Sequence, residues 1–192
     1  MTTISRKIDF AVIVTVDRAN PNGDPLTGNR PRVTYDGLGE ISDVAIKRKI
    51  RNRLMQMGEK IFVQSDDNRE IGDPHRSLLA RAKAEIIVDP KKDEEYRLAA
   101  CTKWIDVRAF GQVFPIKGEK KGQGTSIGIR GPVSIHNAFS VTKVENRMTS
   151  IQITKSVSTA EGKEGDAGKR ASDTMGMKHR VDFGVYTVYG SI

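Results

Sequence analysis

Apolar and polar positions alternate along residues 8–16 (IDFAVIVTV), placing Ile8, Phe10, Val12, Val14 and Val16 on one face. Ala11 and Ile13 make part of the other face apolar too, which predicts a central strand covered on both sides. The strand stops at residues 17–25 (DRANPNGDP), where two prolines, a glycine and two asparagines force a long turn and expose backbone amides. Residues 28–33 (GNRPRV) read as a short extended piece, since Pro31 removes a ladder donor. Ser42 and Asp43 are good helix-capping residues, and Ile46, Ile50, Leu54 and Met57 follow at helical spacing before Gly58. A helix over residues 44–57 is therefore expected.

Residues 60–102 read as an inserted, largely helical lobe, with helices over residues 77–87 (SLLARAKAEII) and 96–102 around a charged connector. No core large enough for a second domain is visible there. Residues 104–114 (WIDVRAFGQVF) and 127–144 are strand-prone, separated by the flexible stretch at 117–126 (KGEKKGQGTS). Residues 147–158 set Met148, Ser150 and Gln152 against Ile151, Ile153 and Val157, the pattern of an amphipathic strand. Residues 160–172 (AEGKEGDAGKRAS) have nothing to bury and predict a mobile hairpin tip, with a return strand through 175–180. Residues 181–192 (VDFGVYTVYGSI) predict a final central strand. One long helix against a sheet leaves an α+β sandwich incomplete, so either the chain is C-terminally truncated or a partner covers the open face.

Composition changes this picture in two ways. A chain of 192 residues has room for one substantial domain, and with 37% hydrophobic residues its core must be economical. Lys and Arg number 32 against 24 acidic residues, a net charge of +8 that calls for an anionic partner. No apolar run is long enough for a membrane span, and the polar N-terminus does not read as a secretory signal. The single cysteine, Cys101, cannot form an internal disulfide. A cytoplasmic, nucleic-acid-associated chain is expected.

Catalytic chemistry is sparse. His75, His136 and His179 lie far apart with no second ligand at metal spacing, and neither a Walker lysine nor a G-x-S-x-G elbow is present. No metal and no cofactor is expected. Asp17 and Asp24 could pair as metal-binding carboxylates, and His136 or His179 could act as a general base in RNA cleavage, but no second catalytic group is placed beside either histidine. Phosphate chemistry is better supplied. Lys47, Arg48, Lys49, Arg51 and Arg53 crowd one short stretch of the helix, and Lys47, Arg48 and Arg51 project from neighbouring turns toward successive phosphates. A solvated basic face is the plainer alternative. Arg108 near Phe110, together with Arg130 beside Gly131, adds guanidinium and aromatic groups of the kind used on single strands.

The first strand followed by NPNGDP (20–25), GNRPRV (28–33), ISDVAIKRKIRNRL (41–54), DVRAFG (106–111), IRGPV (129–133) and TMGMKHRVDFGVY (174–186) resembles, in that order, the backbone subunit of type I-C CRISPR Cascade, the Cas-seven family of Csd type in the RAMP superfamily. The resemblance implies an α+β fold: one domain over 1–192 with a modified RRM-like, ferredoxin-like palm, a helical finger at about 60–102 and a β-hairpin thumb at about 144–180. It implies a non-catalytic scaffold whose copies form a helical filament along CRISPR RNA, present guide bases to target DNA and meet other Cascade subunits of the Cas-five and large types, with no membrane. Carried over by position, the RNA-contacting residues are Asn20, Asn22, Gly23, Lys47, Arg48, Arg51, Arg108, Phe110, Gly111, Arg130, Lys178 and His179, and Met175 or Met177 is the thumb wedge. Family members continue past the strand that ends here, so a truncated palm is expected. A RAMP-type endoribonuclease processing CRISPR RNA is the alternative.

Overall fold

The computed structural model describes residues 4–65, 71–75, 77–116, 125–156 and 174–192. The predicted hairpin tip at 160–172 and most of the stretch at 117–126 lie outside them. The chain is a mixture of helices and antiparallel strands that divides into two compact units, Met1–Phe10 with Asp43–His136 and Tyr189–Ile192, and Ala11–Ser42 with Asn137–Val188.

The first unit carries the helices. α1 (Asp43–Gln56) ends before Gly58, which has a positive φ, in line with the expected span of 44–57. α2 (Leu78–Glu85) is capped by Ser77, whose hydroxyl accepts from the Ala80 amide at 3.1 Å. α3 (Asp93–Lys103) sets Tyr96 and Ala100 on one stripe that continues to Trp104. These residues meet Phe62, Ala82, Ile86, Val107, Phe114 and Ile127 in one buried cluster. The helical lobe therefore has a core that its own residues did not reveal, because four of the nine members come from residues 104–127.

That stretch corrects the expectation of a strand over 104–114. Residues 105–110 form α4 (Ile105–Phe110), and only Gln112–Ile116 is a strand, β5, which pairs with β6 (Thr125–Ile129) in the register Phe114↔Ile127. The alternation of WIDVRAF fits a strand equally well on pattern alone. Helix wins because Trp104 and Val107, three residues apart, then enter the same core, and the Ile105 amide finds the Lys60 carbonyl at 3.1 Å. In the same unit β7 (Ser134–Ile135) pairs with the end of β10 (Thr174–Ser191), and Ile8 and Ile192 exchange backbone hydrogen bonds at 2.9 Å.

The second unit is mainly sheet. β1 (Asp9–Ala19), β10, β8 (Ala138–Lys143) and β4 (Leu38–Ile41) are adjacent in that order, and β9 (Met148–Ser156) forms a long antiparallel pair with β10. Ile41, Ala138, Val144, Val181 and Tyr186 are buried here. β1 is not the covered central strand expected of it. It stands at the end of the order, Val16 is its one buried residue and Ile13 is 71% exposed. Apolar residues on both faces show what a strand is able to bury, whereas its place in a sheet depends on neighbours far away in sequence. The interior position falls to β10, the strand expected at 181–192, which is longer than that span.

Candidate nucleic-acid interface

In the first unit, residues four apart on two helices converge. α1 places Lys47 and Arg51 on one face, and α4 likewise places Asp106 and Phe110 on one face. The Lys47 ammonium lies 6.0 Å and the Arg51 guanidinium carbon 5.1 Å from the centre of the Phe110 ring, both within cation–π range. Arg51 Nε donates to Asp106 Oδ2 at 3.0 Å. Asp106 is wholly buried, and its oxygens also accept from the amides of Phe62 at 2.8 Å and Val63 at 3.0 Å. A buried carboxylate is tolerable in this site because a cation and two amides share its charge. Lys47 Nζ meets Asp43 at 3.0 Å, and that hydrogen bond holds the Asp43 carboxyl below its ordinary pKa. Arg48 turns elsewhere and donates to the Val63 carbonyl at 2.7 Å.

Arg108 is exposed on α4, and Arg130 is exposed just past β6. Gly111 and Gly131 lock the end of α4 against the backbone after β6. A Cβ on Gly131 would fall 2.1 Å from the Ala109 carbonyl oxygen, and one on Gly111, where φ is +80°, would fall 2.4 Å from the Ile129 oxygen. Both obstacles are backbone and have little room to yield. Gly131→Ala is expected to lower stability by about 3 kcal/mol, whereas Gly128→Ala, with open space around it, should stay within about 0.5 kcal/mol of the parent. Equal melting temperatures for the two variants would contradict this.

The remaining predicted residues belong to the second unit. The loop after β1 is a built turn, in which β2 (Gly23–Asp24) pairs with β3 (Arg30–Pro31) around a short 3-10 turn capped by Asp24. Asn20 donates to the Asn29 carbonyl at 2.7 Å, and its own side-chain oxygen is buried with no partner among the described residues. Asn22 Oδ1 accepts from both the amide and the hydroxyl of Ser42 at 2.9 Å. Gly23 pairs with Pro31 in the ribbon. On β10, Met175, Met177 and His179 share one face, and Lys178 points to the other. The two methionines are 54% and 55% exposed. His179 Nδ1 shares a 2.7 Å hydrogen bond with Ser150 Oγ across the β9–β10 pair.

The groups weighed for catalysis are dispersed. His136 is exposed, Asp17 lies 3.9 Å from Arg18, and Asp24 serves as a cap and faces Arg32 at 3.8 Å. Burial pushes the Cys101 thiol up, although Arg108 opposes the shift. Among the described residues no three His, Cys, Asp or Glu side chains gather as a metal site, and no helix is long and apolar enough to cross a membrane. Asp106 is the residue that sequence reasoning missed. An acid set between the apolar Ile105 and Val107 is the signal the sequence offers, but its partner Arg51 lies 55 residues away.

A family model described as CRISPR-associated protein Cas7 matches residues 6–192. The chain is 27% identical over 209 aligned residues to the CRISPR-associated protein Cas7 of Haloferax volcanii, an alignment covering all of this chain and 58% of that protein. A solved chain described as "CRISPR RNA-guided surveillance complex, pre-nicking" is similar at 20% identity with a TM-score of 0.43, over 97% of this chain and 61% of that one. The chain thus spans about three-fifths of the length of these relatives.

Proposed function

Because the chain belongs to the CRISPR-associated protein Cas7 family, matched over residues 6–192, we propose that it is a CRISPR RNA-binding backbone subunit of a Cascade-type surveillance complex. In this reading copies of the chain line the guide RNA in a helical filament, present guide bases to target DNA and contact the other subunits, in the cytoplasm and without a catalytic step of their own. The type I-C subtype belongs to the same proposal. So do the finer parts of the fold: an RRM-like palm within a single domain, a finger over about 60–102 and a thumb over about 144–180.

One observation carries the RNA reading, the gathering of Lys47 and Arg51 around Phe110. Cations beside an aromatic ring serve a ligand whose backbone is anionic and whose bases stack, with no demand on sequence. Asn20, Asn22, Gly23, Arg48, Arg108, Gly111, Arg130, Lys178 and His179 are proposed to contribute further contacts, and Met175 or Met177 to wedge the guide. The exposure of both methionines supports that last role.

The test is incubation of the purified chain with end-labelled CRISPR repeat RNA, with and without Mg²⁺. Protection of intact RNA, in particles heavier than the free chain, is expected. A discrete cut lost in His136→Ala or His179→Ala would establish the endoribonuclease alternative instead.

A further inference from the structure

We infer that Asp106 is a positioning residue of the RNA-contacting surface, holding Arg51 by its inner nitrogen against the Phe110 ring so that the outer guanidinium edge is presented as a ready fork to a phosphodiester. The inference rests on the RNA-binding reading above and adds a residue and a division of labour to it.

The geometry divides the guanidinium into two edges. Nε donates to Asp106 Oδ2 at 3.0 Å, and the guanidinium carbon lies 5.1 Å from the centre of Phe110. Nη1 and Nη2 have no acceptor among the described residues, while 12% of the side chain remains open to solvent. Both gripping groups come from one face of α4, so they hold the arginine as a unit. Asp106 is itself immobilised by the Phe62 and Val63 amides. An arginine that is free in water must give up rotamer freedom to bind, whereas this one has given it up on folding. A planar fork with two free nitrogens matches two phosphate oxygens. It does not discriminate among bases, which suits a surface that must accept any guide sequence. Lysine at position 51 would point its single ammonium at Asp106 and leave no second edge.

A double-mutant cycle tests this, reading fluorescence anisotropy with labelled single-stranded repeat RNA and, separately, melting without RNA. Arg51→Lys is expected to weaken binding about tenfold. Asp106→Asn and Phe110→Leu should each weaken it several-fold in the parent, and each should have almost no further effect in the Arg51→Lys background. Should Asp106→Asn melt below the assay temperature, the Phe110→Leu arm decides, since it leaves the ion pair intact. Parent-like RNA affinity in Arg51→Lys would overturn the positioning role. So would losses from Asp106→Asn or Phe110→Leu that persist at full size in the Arg51→Lys background, since they would mark those residues as merely structural. A parent chain that binds no RNA would instead defeat the RNA-binding reading, and this inference with it.

Discussion

Trp104→Ala is expected to remove about 3–5 kcal/mol of stability, a large part of what a chain of this size holds in reserve. Trp104 is 1% exposed and packs beside two rings, with the Phe62 centroid at 4.6 Å and the Phe114 centroid at 6.5 Å. It is also the junction between helices. Its amide donates to the Ala100 carbonyl at the end of α3, and its carbonyl accepts from the Arg108 amide at the start of α4. Truncation therefore leaves a cavity that the surrounding rings cannot fill without moving two helix ends. The neighbouring Phe62 amide bonds Asp106, so the damage should spread to the α1–α4 contact. Urea unfolding followed by tryptophan-independent far-UV circular dichroism measures the loss, and hydrogen exchange should show α3 and α4 opening first. Leu98→Ala, 70% exposed on α3, serves as the reference and should change stability by less than about 1 kcal/mol. A Trp104→Ala midpoint equal to that of Leu98→Ala would mean that the cluster is not the core of its unit.

Parts of this organisation were readable in the sequence because they are local. α1 declares itself through caps, spacing and a terminal glycine within one short stretch, and its observed bounds differ from the expected ones by a residue at each end. α2 follows from its Ser77 cap, whereas α3 begins at Asp93, inside the stretch expected to be a charged connector, and has no side-chain cap to announce it. The misreadings share a physical origin. Whether WIDVRAF coils or extends is decided by Phe62 and Ile127, which lie well outside the stretch in sequence and pack against it only after the chain has folded. The edge position of β1 is decided likewise by the pairing of β10 with β8, in the register Tyr186↔Ser140. The candidate interface divides in the same manner. Helical periodicity alone puts Lys47 and Arg51 together, whereas bringing Phe110 to both, and closing Asp106 over Arg51, requires tertiary structure.

Lys47→Ala combined with Arg51→Ala should then weaken single-stranded RNA binding at least about 100-fold, since each charge-assisted contact is worth about 1.5–3 kcal/mol. The salt dependence should change as well. A cation that neutralises a phosphate on a single strand releases counterions, and each lost contact makes the slope of log K against log salt shallower by about 0.7. The double variant should therefore lose about 1.4 from the slope. Lys49→Ala is the informative control. It removes the same charge from an exposed position of the same helix, two residues from both Lys47 and Arg51 and so on another side of the cylinder. Its slope should stay near that of the parent if contact matters, and should fall as far as that of Lys47→Ala if only net charge does. Because Arg51 neutralises the buried Asp106, the double variant must also be checked for folding. Arg51→Lys with Lys47→Ala keeps a cation beside that carboxylate and should reproduce most of the affinity loss with a smaller change in melting. RNA binding that is insensitive to salt, or equally weakened by every single lysine or arginine removed from α1, would place the RNA path away from the Phe110 face.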